Sequence, residues 1–337
     1  SRTRPVIVGA SVIYVERSGT RVMALSRDGL NADLVSTDLG VQAEHLLESG
    51  VAGLCASHHP DLRLWCRLQD GGLVSLDHGQ AEQRWGWSQQ AMAAGSSPLP
   101  ASVASVATAG RPATTNQGVE DQVWFVVERY RGGQMVRTLE VLSDAIRHED
   151  DGWLGHYADA GLTSRAPIPT TTIDGLAHLE GEQVLVRAQD EDLGLFTVTS
   201  GAITLPMAHM MLSVGLPYES KVALNDLNRG AAGAFSLTKG RRAFDIRFRV
   251  WRSGLFEVGT DEPEFGSAVL PDLSTRFWPV TTPEPHEDQP FPPNFTGDIR
   301  VNRDEGGWAR KTAVCWRTDG AFALNVLGVG VRLAGGA

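Results

Sequence analysis

Short apolar runs of strand length, each closed by a turn dipeptide, recur along this chain with an aromatic residue at a fixed distance from a leucine. Ile13-Tyr14-Val15 leads through Ser18-Gly19 to Val22-Met23-Ala24-Leu25, and Leu64-Trp65-Cys66 leads through Asp70-Gly71 to Leu73-Val74-Ser75-Leu76. In both, the aromatic and the final leucine are eleven residues apart. Val123-Trp124-Phe125 repeats the theme with a longer tip, Tyr130-Arg131-Gly132-Gly133, before residues 135–142. β-branched and aromatic residues bounded by Gly, Asp and Ser read as hairpins. The aromatics are 51 and then 59 residues apart, near the period of about 50 for one kelch-type blade. A blade is a small sheet that cannot bury both faces alone, so stacking supplies its core. The spacing therefore predicts an all-β fold with β-propeller blades over residues 5–160, in which Tyr14, Trp65 and Trp124 occupy matching buried places. The same hairpins also suit a meandering sandwich.

One helix interrupts this pattern, at about 38–49: Leu39, Ala43, Leu46 and Leu47 share a face, Ser36, Thr37 or Asp38 can cap it, and Gly50 follows its end. Residues 147–172 lose periodicity and carry Pro167 and Pro169, which predicts a domain boundary. Strands resume at 184–187, 195–199, 202–205 and 244–251, so residues 173–262 read as a second, β-rich platform or sandwich-like domain. The last of these runs alternates strictly, with one face apolar and the other basic. Residues 281–293, rich in Pro, Glu and Asp, read as an extended arm. A closing β hairpin turning at Thr318-Asp319-Gly320 completes a third region, 263–337.

The balance of 40 acidic to 30 basic residues, a formal charge of −10, argues against a surface that grips a phosphate backbone. The densest basic run, Lys239-Gly240-Arg241-Arg242, reads as a solvated turn before the strand 243–251. No apolar run reaches the roughly eighteen residues of a membrane span. The three cysteines are an odd number and describe no secreted disulfide framework. Taking Pro60-Asp61 as the turn of a hairpin sets Cys55 directly opposite Cys66. Two small buried thiols are the reading for a reducing compartment.

There is no Gly-x-Ser-x-Gly elbow, phosphate-cradling loop or dinucleotide fingerprint. His148-Glu149 lacks the second histidine of a helical zinc pair. Carboxylates cluster at Glu149-Asp150-Asp151, Asp190-Glu191-Asp192 and Glu284 with Glu287-Asp288. Such groups can bind Ca²⁺ or act as a glycosidase pair, but at loop tips they read as solvated surface. His58-His59 reads as a turn, Asn294-Phe295-Thr296 as an unused glycosylation pattern, and Trp85 and Trp87 as buried neighbours on one strand face. No catalytic residue, metal ligand or cofactor is expected, and the chain is read as a non-enzyme.

The stretch from Ile173 to Val186 contains Gly175-Leu176-Ala177-His178-Leu179-Glu180-Gly181. Gly201-Ala202-Ile203-Thr204-Leu205 and then Gly215-Leu216-Pro217-Tyr218 follow it. In wording and order these three elements resemble the tail nozzle or tail-stabilisation proteins of short-tailed bacteriophages. Thr296-Gly297-Asp298 with Gly306-Gly307-Trp308 resembles the family's closing segment, so the likeness covers nearly all of the chain. The resemblance implies a structural virion protein of a phage tail, assembled in the bacterial cytoplasm as a homo-oligomeric ring of six copies. It further implies contacts with head-to-tail adaptor or portal-side proteins, docking of tail fibres or spikes, and passage of genomic DNA without tight binding. With Ser1 at its start, the chain is expected to begin partway into a longer family member. A carbohydrate-binding or carbohydrate-active propeller is the alternative. Of the motif glycines, Gly175, Gly181 and Gly215, at least one is expected to hold positive φ.

Overall fold

A computed structural model describes residues 3–27, 33–41, 43–59, 61–79, 84–112, 118–143, 157–188, 191–224, 241–259, 278–279, 295–301 and 314–335. The fold is all-β, built from several antiparallel sheets, with one short α-helix among the described residues. No helix among the described residues is long and apolar enough to cross a membrane. The chain divides into two compact units, Ser1–Asp144 and Ala145–Ala337.

The described residues of the first unit form three consecutive sheets. The first is the meander β1 (Val6–Val8), β2 (Ser11–Val15), β3 (Val22–Arg27) and β4 (Leu34–Asp38); the second is β5 (Val51–Ser57), β6 (Arg63–Leu68), β7 (Leu73–Gly79) and β8 (Arg84–Gln90). The third places β10 (Val119–Arg131) between β9 (Ser102–Pro112) and β11 (Gln134–Val141). The middle sheet is buried on both faces. Leu64, Cys66, Val74 and Leu76 join Ile13, Val15 and Val22 of the first sheet in one core. Cys55, Trp65 and Leu73 join Val103, Val123, Phe125 and Val127 of the third in another. Trp65 meets Phe125 edge-on, with ring centroids 5.7 Å apart, a favoured aromatic geometry. After β5, the backbone N–H groups of His58 and His59 donate to Asp121 at 2.6 and 3.4 Å.

The strands alternate as anticipated, but facing differs wherever a connection gains or loses one residue. Tyr14, Trp65 and Trp124 each lie on the second strand of their sheet, yet only Trp65 is buried in the core. Tyr14 is half-buried on the face away from Ile13 and Val15, its hydroxyl 2.8 Å from that of Ser36. Trp124 lies half-buried opposite the inward Val123 and Phe125. The eleven-residue spacing misaligns the hairpins. Val15 pairs with Val22 across a six-residue connection, whereas Arg67 pairs with Leu73 across five. One residue of register turns every side chain to the other face.

The same parity corrects the cysteine pairing. Ser57 pairs with Arg63 across a five-residue connection, so Cys55 faces Trp65 while Cys66 faces Leu54. The two thiols sit on opposite faces of the sheet, both buried and free. The predicted helix shrinks to a single turn, α1 (Glu44–Leu47), with no side-chain cap. Asp38 instead ends β4 and accepts the Gly40 N–H at 2.8 Å. Trp87 is half-buried and donates its indole N–H to Leu39 O at 2.8 Å.

The described residues of the second unit also form three sheets. Within residues 147–172, where loss of periodicity predicted a boundary, the strand β12 (Asp159–Ile173) forms. Its sheet runs in the order β12, β15 (Ile203–Leu216), β13 (Gln183–Ala188), β14 (Glu191–Thr197). Pairing with β15 overrides the prolines of β12, at the cost of register shifts between Arg165 and Thr172. A second sheet runs β16 (Ser220–Ala223), β21 (Cys315–Thr318), β18 (Glu257–Gly259), β19 (Trp278–Pro279), and a third runs β20 (Phe295–Val301), β17 (Arg241–Ser253), β22 (Val326–Gly335). The predicted closing hairpin is therefore absent: β21 and β22 belong to different sheets, and residues on both sides of 263 interleave in each. Ile246, Phe248, Val250 and Ile299 pack with Phe256, Val258 and Trp316. Phe248 meets Phe256 and Trp316 edge-on, at 5.3 and 5.4 Å. The Pro-rich segment 281–293, Lys239-Gly240, and the acidic residues Glu149, Asp150, Asp151, Asp190, Glu284, Glu287 and Asp288 lie outside the described residues.

Candidate functional site

The motif of residues 175–181 folds as a clasp on the hairpin that follows it. Gly175 and Gly181 hold φ of 87° and 78°, a left-handed conformation that a Cβ disfavours. Between them Ala177–Leu179 form a 3-10 turn. Leu176 and Leu179 are fully buried while Ala177 and His178 face solvent. Each polar group of the turn goes to backbone. The Glu180 carboxylate accepts the N–H groups of Ser200 at 2.9 Å and Gly201 at 2.6 Å. His178 Nε2 lies 2.6 Å from Ala160 O, and Ala160 itself has a positive φ of 52°.

The clasped hairpin is tight. Ser200 and Gly201 have φ of 55° and 71° between the bridged pair Thr199 and Ala202, the two positive φ values of a type I′ turn. Leu176 N–H donates to Gly201 O at 2.9 Å, and Gly181 N–H to Val198 O at 3.1 Å. A Cβ on Gly201 would lie 3.3–3.4 Å from backbone and Cβ atoms of Ala177, which explains the small residues at both positions.

Gly215 works differently. Its φ is ordinary, but a Cβ there would lie 2.8 Å from Asp159 O and 2.9 Å from Ala158 Cβ, so the strands approach too closely for any side chain. Leu216 is fully buried, while Pro217 and Tyr218 are half-buried. Burial first, and then the Asp159 carboxylate, push the Tyr218 phenol above its ordinary value. Tyr157 is raised too, by burial and by Tyr218, which together outweigh the opposing pull of Arg187. Arg187 is 2% exposed on β13, its guanidinium stacked 4.5 Å over the Phe322 ring.

Burial thus favours the neutral form of both phenols over the phenolate. The sequence singled out Tyr218 through its motif but missed Tyr157, Asp159 and Arg187. The one available signal was a charge, Arg187, inside the apolar run of β13.

The remaining candidates stay apart. Asp192 accepts the Gly194 N–H at 2.9 Å in a local turn. No group of three or more metal-ligating side chains gathers among the described residues. A depression of about 430 Å³ in the first unit is lined by Thr20, Arg21, Glu44, His45 and Glu48. In comparisons with known proteins the chain matches no family model, and no curated protein is significantly similar to it.

Proposed function

We propose that this chain is a structural component of a bacteriophage tail, a ring-forming subunit that extends the conduit for DNA and docks fibres or spikes. One observation carries this reading. The side chains of the motif that resembles the tail-nozzle family are spent on architecture: Glu180 and His178 bond to backbone, Leu176 and Leu179 fill the core, and the glycines supply turns. Such a motif serves rigidity and spacing rather than turnover. In this reading the three sheets of the first unit are successive propeller blades.

The charge fits passage of a polyanion. A ring of six copies at −10 each would carry about −60 before screening, so DNA meets a mildly repulsive wall. The test is to locate the protein in purified particles by labelling and imaging, and to titrate it with duplex DNA at physiological salt. We expect it in the tail around the genome's path, with no measurable duplex affinity. Absence from particles, or tight binding with the steep salt slope of several phosphate contacts, would overturn the reading.

A further inference from the structure

The acidic balance of the chain conceals one cationic face. On the sheet of β20, β17 and β22, Ile246, Phe248, Val250 and Ile299 turn inward. Arg247, Arg249, Arg300 and Arg332 turn outward, with side chains 57%, 68%, 51% and 70% exposed. Arg247 and Arg300 are direct cross-strand partners, a placement of like charges that costs stability. Asp245 offsets that cost. Its side chain is 5% exposed, and it contacts Nε of Arg300 at 2.6 Å, of Arg332 at 3.3 Å and of Arg247 at 3.4 Å. Burial alone would raise its pKa, but hydrogen bonding and attraction from Arg300 and Arg247 hold it below the ordinary value. Asp245 also has φ of 48°, a conformation that is costly for a residue with a side chain, at an irregularity where β17 and β22 shift register. Beside it, Arg249 grips Asp298 with two bonds of 2.7 and 2.8 Å.

The donors outnumber the acceptors. Four guanidiniums carry about twenty N–H groups, and two carboxylates accept about eight bonds. The six side chains sum to +2, four positive less two negative, which leaves −12 on the rest of a chain of −10. Across from Arg249 and Arg247, β22 offers Gly328 and Gly330. A Cβ on Gly328 would meet nothing within 4 Å, so the floor between the arginines is open to an incoming surface. Leu327, 65% exposed on the same strand, adds an apolar contact.

We infer that this arginine face is one half of a contact between two copies of this chain, and that carboxylates of the second copy take the N–H donors left by Asp245 and Asp298. A second copy fits better than a nucleic acid for two reasons. The interleaved aspartates would repel a uniform polyanion but match a partner of mixed sign, and the remainder of the chain supplies a surplus of negative charge. A basic face meeting a different, acidic region is a heterologous contact, the kind that closes into a ring. The inference rests on the ring part of the proposed function.

The experiment measures self-association of the purified chain by sedimentation velocity, at low salt and at about 0.5 M salt, where the Debye length is only a few ångströms. It compares the wild type with Arg300→Glu/Arg332→Glu, after far-UV circular dichroism has checked the fold. We expect salt-sensitive association that the double variant weakens at least about tenfold. As a second measurement on unaltered protein, an arginine-specific reagent should label Arg300 and Arg332 less in concentrated than in dilute solution. Association that ignores both salt and the substitutions, a wild type that stays monomeric, or equal labelling would overturn the inference. So would duplex DNA binding that the double variant abolishes. Absence from phage particles would remove the proposed function while leaving these outcomes intact. A tail protein that associates without these arginines would remove only the inference.

Discussion

The Glu180 carboxylate accepts the backbone N–H of Gly201 from 2.6 Å, joining the end of one turn to the tip of the next across twenty-one residues. With Ser200 as its second donor, this side chain does for a type I′ hairpin what a capping residue does for a helix. Glu180→Ala should destabilise the second unit by about 1 kcal/mol, the net worth of a typical hydrogen bond, since exposed N–H groups turn to water. Amide exchange at Ser200 and Gly201 should accelerate, and Glu180→Gln should restore part of the protection. Unchanged exchange in Glu180→Ala would show that the clasp contributes nothing.

The motif glycines should separate by mechanism. Gly175→Ala and Gly181→Ala place a Cβ at positive φ and should each cost about 1 kcal/mol or more. Gly215→Ala strains no φ but collides with Asp159 O and Ala158, an overpacking cost of about 1–3 kcal/mol. Urea unfolding midpoints of the three variants check both.

Cys55 and Cys66 should behave as inert interior groups. Burial raises the Cys55 thiol to about 12 and pushes Cys66 higher still, with a smaller push from Cys55 itself. Thiolate, the reactive form, is scarce at neutral pH. A thiol-reactive dye should label neither in the native state and both after denaturation, and oxidation should not link them.

Alkaline pH should loosen the second unit. Tyr157 and Tyr218 hold their protons more tightly in the fold than the ordinary 10.0. Their contribution is therefore complete below about pH 10 and falls as pH rises from there toward the folded-state values. Tyrosinate absorbance should lag for these two phenols until unfolding, and Tyr157→Phe and Tyr218→Phe should each flatten the alkaline loss of stability.

Arg129 offers a parallel test in the first unit. It is 2% exposed among Val123, Phe125 and Val127 on the inward face of β10, donating to Ala93 O at 2.7 Å and paired with Glu140. Removing one partner of a buried pair leaves the other uncompensated, so Arg129→Ala should cost about 3 kcal/mol, read from the thermal midpoint.

What the sequence determined lies within single strands and turns. The alternation of residues 244–251 separated an apolar face, Ile246, Phe248 and Val250, from a basic one, Arg247 and Arg249, because successive side chains of a strand point oppositely. Gly175 and Gly181 were legible as turn positions for an equally local reason: only glycine takes positive φ without penalty. Tertiary structure decided which strand faces which. A five-residue connection in place of the anticipated turn put Cys55 and Cys66 on opposite faces, and the difference between five and six residues left Tyr14 outside the core that holds Trp65. Pairing with β15 made a strand of β12 despite Pro167 and Pro169. The meetings of Arg187 with Phe322 and of Asp245 with Arg300 and Arg332 span 135, 55 and 87 residues of chain. No periodicity encodes such distances; strand pairing sets β20 and β22 on either side of β17, and tertiary packing brings Phe322 onto Arg187 of β13.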